Sequence, residues 1–307
     1  MIDFATIAAA VPLPYPFNVL ILAMCLVALV IGAVLDIKTR EIPDWVSYGL
    51  IIFGLGFHLI YALVTWDWMF MLSGLAGFLA FVAIGYLMYY AGQWGGGDAK
   101  LLMGLGAMLG LELSFQKPPF LLVFIVYTLL IGSFYGMVWS VVMAVKHRKK
   151  FYAELKRSLA NPATRRLRMA LLGFGAAMII WSLFVHDYFL KMLILSLFIF
   201  VFLFFYLWVF VKAVEKVCML KRVQPEQLTE GDWIAKDVFV GGKYITGPKD
   251  LGIEKKSIAK LIALKKKGKV RKILIKVGIP FVPSFLIAFM LAVLFSRAFA
   301  SIWVLLG

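Results

Sequence analysis

Eight long apolar runs recur along the chain, near residues 19 to 35, 46 to 65, 69 to 91, 99 to 113, 120 to 145, 169 to 186, 189 to 211 and 281 to 304. Most reach the roughly 20 residues that a helix needs to cross the hydrocarbon of a bilayer. Backbone polar groups in that medium must be satisfied within the segment, so runs of this kind fold as helices and not as open sheets. A hydrophobic share of 63% stands well above the ~45–50% of ordinary soluble domains, and an aqueous globular fold is excluded. The expected fold is an all-α polytopic membrane protein of about eight transmembrane helices, with a small α+β cytoplasmic domain inserted before the last one. The fourth run is the shortest, so its helix must tilt or sit beneath a water-accessible recess.

Charge orients these helices. The net charge of +16 reports topology before it reports a partner, because Lys and Arg accumulate on the cytoplasmic side of membrane proteins. With residues 36–45, 92–98, 146–168 and 212–280 inside and Lys100 at the inner mouth of its run, 29 of the 32 Lys and Arg share one face. Lys117, Lys191 and Arg297 remain outside. Both termini then face outward, in the cell's cytoplasmic membrane. Residues 1 to 18 carry Asp3 and three prolines but no basic n-region, so they do not read as a cleavable signal peptide and Met1 is expected to be retained. Cys25 and Cys218 stand alone, which excludes a disulfide framework or a CxxC site. No metal and no cofactor are called for.

These features divide the chain into a membrane core (1–145), a basic cytoplasmic loop (146–168), additional transmembrane helices (169–211), a small basic cytoplasmic domain (212–280) and a C-terminal transmembrane helix (281–307). In the basic loop, Phe151, Leu155, Leu159 and Leu167 lie among cations, which suits either a helix resting on anionic lipid or a solvated loop. In the small domain, Trp233–Val240 and Lys272–Val277 read as strands, Gly241-Gly242 as a hairpin turn and Glu254–Lys267 as a helix, a ββαβ-like unit. Its 17 Lys and Arg come without a zinc pattern, an RNA-binding aromatic motif or helix-turn-helix spacing. Nucleic acid is therefore not expected, and proximity to membrane lipids accounts for the charge. Gly278-Ile279-Pro280-Phe281-Val282-Pro283 leads into the last run, where prolines are tolerated because first-turn N–H groups lack helical acceptors.

The polar groups at the inner face carry whatever chemistry the chain performs. Gln93-Trp94-Gly95-Gly96-Gly97-Asp98-Ala99-Lys100-Leu101 breaks two apolar runs and leaves Asp98 at the mouth of the fourth. A carboxylate there loses hydration, which is costly unless it is paired or used; its structural alternative is a helix cap. Asp36 ends the first run on the same assigned face. Two carboxylates within a few ångströms cannot easily ionise together and share a proton, so one acts as base and the other as acid. A water between them can then be deprotonated by one while the other polarises a scissile carbonyl. A transporter using the same pair as an ion or proton site is the reading of a different class, although no inverted repeat is visible.

Gly95-Gly96-Gly97-Asp98 fits the GxGD signature of membrane aspartic proteases. Asp98-Ala99-Lys100-Leu101 with Gly106 and Gly110, and Asp36 followed by Arg40-Glu41-Ile42-Pro43-Asp44, resemble the two motifs of type IV prepilin peptidases. The resemblance covers about residues 20 to 145, and the basic domain is similar to a C-terminal extension of the archaeal members, the prepilin and preflagellin peptidases. It implies an aspartic endopeptidase with Asp36 and Asp98 as the catalytic pair, which removes the short basic leader of pilin or archaellin precursors at the cytoplasmic face. The cysteine tetrad of bacterial relatives is absent, so their methylation activity is not implied. A presenilin-like protease of other substrates is the nearer rival, but the last run has no Pro-Ala-Leu motif.

Around this pair, Gly95, Gly96 and Gly97 either admit an extended substrate strand or simply make the turn. Lys100 either supports Asp98 or anchors the topology, and Glu41 either meets a basic leader or is an ordinary loop carboxylate. Asp44 is expected to cap the second helix, and His58 is either a hydrogen-bonded structural residue or part of a proton relay and is left unassigned.

Overall fold

A computed structural model of the chain describes residues 17–112 and 118–306, with side chains over 18–112 and 118–295. The leader-free reading of the N-terminus, the position of Lys117 and the reach of the Arg297 side chain lie outside the described residues. In chain order the helices are α1 (Phe17–Thr39), α2 (Asp44–Thr65), α3 (Trp68–Tyr90), α4 (Gly96–Leu109), α5 (Phe120–Lys146), α6 (Arg148–Ala160), α7 (Pro162–Phe184), α8 (Tyr188–Val214), α9 (Lys255–Lys266) and α10 (Val282–Leu306). Six of these described helices, α1, α2, α3, α5, α7 and α8, are long and apolar enough to cross a membrane. This bears out an all-α polytopic membrane fold with a small appended sheet region. The last helix, α10, carries a kink at Phe295. The chain divides into two compact units, Met1–Met137 with Gly278–Gly307, and Val138–Val277.

In the first unit, α4 is the centre. Its 14 residues rise only about 21 Å, too short for a span of about 30 Å. From Leu101 onward its sequence is apolar on every side, and a helix segment of that kind must be buried. Accordingly Ala99, Leu101, Leu102, Leu105, Ala107, Met108 and Leu109 are all buried. Without a hydrophobic drive between helices in lipid, close packing through small residues holds them together. A Cβ added to Gly54 of α2 would lie 2.7 Å from the Ala107 backbone, and one on Gly77 of α3 would lie 2.5 Å from the Gly106 carbonyl. The helix stops at Gly110, whose φ of +66° suits only glycine without strain. The next N–H, that of Leu111, donates to the Ser73 carbonyl at 2.8 Å.

His58 fills the space beside this stop. It is fully buried, its Nδ1 bonds the Gly54 carbonyl at 2.8 Å, and its ring stacks on Phe70 at 4.6 Å. These contacts are those of a hydrogen-bonded structural histidine, one of the two readings its sequence position left open. On the opposite side of the unit, α10 packs along α1 through Val282, Phe285, Ala288, Phe289 and Ala292, all buried with Ile21, Cys25 and Leu29. The side chain of Asp67 caps α3 by accepting the Met69 N–H at 3.1 Å. Asp44 does not cap α2: Pro43 occupies that position without a side-chain bond, and Asp44 lies one residue inside with its carboxylate paired elsewhere.

In the second unit the basic loop is helical. Residues of α6 present Phe151 to Phe210 of α8, ring centroids 5.3 Å apart, and Glu154 to Lys216 at 3.0 Å. Asn161 then caps α7 by accepting the Ala163 N–H at 2.9 Å, with Pro162 at the first helical position, where its missing N–H costs nothing. After α8, a π-helical turn (Glu215–Met219) leads into β1 (Leu220–Val223). Together with β2 (Trp233–Ile234) and β5 (Ile273–Lys276) it forms an antiparallel sheet of order β1-β5-β2, while β3 (Val238–Val240) and β4 (Lys243–Thr246) form a separate hairpin. Gly241 and Gly242 join that hairpin with φ of +58° and +78°, the positive values a two-residue hairpin loop requires. The expected single strand Trp233–Val240 is thus two strands, because Ile234 pairs with Ile275 and Val240 with Lys243. A small core of Val223, Ile234, Ile253, Leu261, Ile273 and Ile275 closes under α9.

Candidate active site

Asp36 lies in the last turn of α1 and is buried, 6% exposed. Its Oδ2 accepts the Val282 N–H at 3.0 Å, at the first residue of α10. First-turn N–H groups have no acceptor of their own within a helix, so the carboxylate supplies one. Four residues on, Arg40 terminates α1 with φ of +62° and donates its N–H to the Asp36 carbonyl at 3.0 Å. A non-glycine residue in that region costs about 1 kcal/mol. Arg40 is held there by its guanidinium, whose Nη1 donates to the Gly278 carbonyl at 2.7 Å. The same cation acts electrostatically on Asp36.

Asp98 is the third residue of α4 and is half-buried. Its Oδ2 accepts the Gly95 N–H at 2.8 Å, closing the first turn on itself as a capping-box acid does. The cap reading of Asp98 is thereby met through Oδ2. Asp36 acts electrostatically on Asp98, so the fold brings the two carboxylates of separate motifs into range of one another. Tyr135 of α5 faces the same group and feels both Asp36 and Arg40.

The remaining residues singled out from the sequence separate. Gly95 is the extended N-cap of α4 with φ of −72°, and Gly96 and Gly97 begin the helix with no positive φ; the left-handed turn before them falls on Gly92, at +68°. Gly97 is a close-packing position, since a Cβ there would meet Ile42 at 3.3 Å, whereas Gly96 is open, with Tyr89 at 3.8 Å. Ile42 thereby seats the loop after Asp36 on the loop before Asp98. Lys100 turns away from Asp98: its Nζ pairs with Asp44 Oδ1 at 2.7 Å and lies 5.4 Å from the Tyr48 ring centre. Glu41 is exposed at the edge of the site.

Trp94 is the residue whose role the sequence left unread. It is 2% exposed and packs on Phe281 and Phe285, with ring centroids 5.9 and 5.2 Å away. The aromatic pair Phe281 and Phe285 at the entrance to α10 was its available signal.

Residues 4–141 match the type IV leader peptidase family. That segment contains Asp36, Asp98 and their flanking loops, and it bears out the resemblance carried by the two motifs. Curated relatives of the leader-peptidase segment are each named preflagellin peptidase. That of Methanocaldococcus jannaschii is 36% identical over 83 residues, 27% of this chain and 35% of its own length. That of Methanococcus voltae is 32% identical over 127 residues, covering 40% and 54%, and that of Methanococcus maripaludis is 36% identical over 90 residues, covering 29% and 37%. The chain thus spans between about a third and about half of the length of these relatives. No solved structure matches it significantly.

Proposed function

We propose that the chain is a membrane-embedded aspartic endopeptidase that removes the short basic leader from archaellin or type IV pilin-like precursors at the cytoplasmic membrane face. The observation that supports this reading is the placement of Asp36 in the last turn of α1 and Asp98 in the first turn of α4, two acids from separate motifs, both within the segment matched to leader peptidases and in electrostatic reach of one another. In this reading a water lies between the two acids. One carboxylate takes its proton as the oxygen attacks the scissile carbonyl, and the other, protonated, donates to the carbonyl oxygen as negative charge develops there. Withdrawal of water from the buried Asp36 and the half-buried Asp98 strengthens both interactions.

The substrate must present an extended backbone to be cut. The Gly95–Gly97 segment at the start of α4 is the proposed access element, because Gly96 is exposed, no close contact bars a side chain there and a glycine run unwinds at little steric cost. Glu41, exposed beside Asp36 and Arg40, is proposed to meet the cationic leader. Lys100 serves the architecture by pinning the start of α2 to α4 through Asp44. The partners implied are precursor proteins and the surrounding lipid, with no nucleic acid.

Incubating membranes that contain the full chain with an archaellin precursor, and following product mass, tests the reading. Wild-type protein is expected to release the leader, and Asp36→Asn and Asp98→Asn proteins are each expected to lose at least about 1,000-fold, the scale at which a missing acid or base removes concerted proton transfer. Cleavage by either variant at the wild-type rate would reject the assigned roles.

A further inference from the structure

The family match ends at residue 141, yet the hydrogen bond from Val282 to Asp36 comes from far beyond it. The entrance to α10 touches both motifs. On the Asp36 side, Val282 N–H reaches the carboxylate at 3.0 Å, the backbone of Phe281 faces it as well, and the Gly278 carbonyl receives Arg40 Nη1 at 2.7 Å. On the Asp98 side, Phe281 and Phe285 clasp Trp94, four residues before the acid. Phe281 is itself fixed on α5, where a Cβ at Gly132 would run into its ring. The residues between them are chosen for this task. Pro283 has no N–H to compete for an acceptor, and the Ser284 N–H is already turned to the Phe281 carbonyl at 2.9 Å. Val282 is fully buried, and a Cβ added at Gly32 of α1 would lie 3.3 Å from it, so its N–H is held beside α1.

We infer that the entrance to α10, Gly278 to Phe285, is a positioning element of the active site, and that the Val282 N–H is the group that orients the Asp36 carboxylate toward Asp98. The inference rests on the peptidase reading for its consequence in catalysis, but not for its geometry. A carboxylate at 6% exposure can rotate about its terminal torsion unless a donor fixes it, because that torsion is broad. The helix end adds the positive pole of the α10 dipole to the same point. Residues outside the matched leader-peptidase segment therefore complete its site, and a chain cut after residue 141 would carry both acids with one of them unoriented.

Two measurements on the full chain in membranes test this. The first needs no substrate: hydrogen–deuterium exchange of the backbone over 279–285 is compared between wild-type and Asp36→Ala protein. First-turn amides exchange quickly without an acceptor, so loss of the carboxylate is expected to speed exchange at Val282 at least about 10-fold, while the amides of α3 are unchanged. Equal exchange in the two proteins would overturn the contact. The second uses Val282→Pro, which removes the N–H at a helix position that accepts proline, beside Val282→Ala, which keeps it. With an archaellin precursor as substrate, Val282→Pro is expected to lower kcat about 10- to 100-fold with KM within about twofold, the range for a hydrogen bond to a charged group. Val282→Ala is expected to fall by no more than about threefold. Equal losses in the two variants would make the role one of packing and overturn the inference, whereas absence of cleavage by wild-type protein would reject the peptidase reading and leave the exchange result to decide the positioning one.

Discussion

Replacing Gly77 by Ala asks how firmly backbone contact places Asp98. A Cβ at Gly77 would sit 2.5 Å from the Gly106 carbonyl and 2.8 Å from the Gly110 backbone. Ordinary contact begins near 3.4 Å, so α3 and α4 must part by 3.4 − 2.5 = 0.9 Å. The obstacle is backbone on both sides, and no side-chain rotation relieves it. Overpacking of this kind costs about 1–3 kcal/mol; at roughly 2–4 °C per kcal/mol for units of this size, Tm should fall by about 2–12 °C. Asp98 lies at the start of the same helix, eight residues or about 12 Å from Gly106, and a stiff helix carries the displacement to its end. A misplacement near 1 Å costs up to about 100-fold in rate. We expect Gly77→Ala to fold and to cleave an archaellin precursor about 10- to 100-fold more slowly, measured by product mass against time, with Tm followed by intrinsic fluorescence in detergent. Gly56→Ala, at a glycine with open space around it, is the control for glycine replacement in a helix and is expected to leave the rate unchanged while raising Tm by a few °C through helix propensity. Wild-type rate and Tm in Gly77→Ala would refute the claim that glycine-mediated contact with α3 sets the position of Asp98.

Two further outcomes follow from the structure. Gly96→Ala has room for its methyl group, 3.8 Å from Tyr89, and should raise Tm by up to about 3 °C through helix propensity; if the glycine run unwinds to admit substrate, the same change lowers kcat/KM about fivefold or more, and an unaltered kcat/KM would restrict these glycines to shaping the turn. In the second unit, the hydrogen bond from Lys216 holds Glu154 below its usual value. A depressed folded pKa contributes stability that is complete above the ordinary glutamate value and is lost as pH falls through the folded one, so attachment of α6 should weaken from about pH 4.3 downward. Limited proteolysis between α5 and α7 across that range should show the weakening in wild-type protein and not in Glu154→Gln; a parallel pH response in the variant would remove Glu154 as its source.

Several features were legible because they depend on local chemistry. Asp36 and Asp98 stand out as carboxylates at the ends of apolar runs, Gly241-Gly242 as a hairpin turn, and His58 as a lone polar residue with a carbonyl one turn before it. Other features were not, because their partners are remote. Asp44 reads as a cap from its place before an apolar run, but Lys100, on another helix, claims its carboxylate. Arg40 reads as one cation among many, and only the fold supplies Gly278 as the acceptor that holds it in a left-handed backbone. Leu220–Val223 is short and half charged, and it becomes a strand because β5 offers a full antiparallel register from Val223–Ile273 to Leu220–Lys276.

The sequence by itself determined that this chain lives in a membrane as a set of helices, since a 63% hydrophobic share in runs of spanning length leaves the backbone no other way to satisfy its polar groups in lipid. It also determined which acids to examine, because an unshielded carboxylate at a helix mouth is costly wherever it is placed. Only the tertiary structure decided how those acids are held. Asp98 keeps a local partner, Gly95, within its own helical turn, whereas Asp36 takes its donor from Val282. The first bond follows from helical geometry and can be read at a spacing of three residues. The second exists only because α10 packs along α1, and no local pattern encodes a contact made by helix packing.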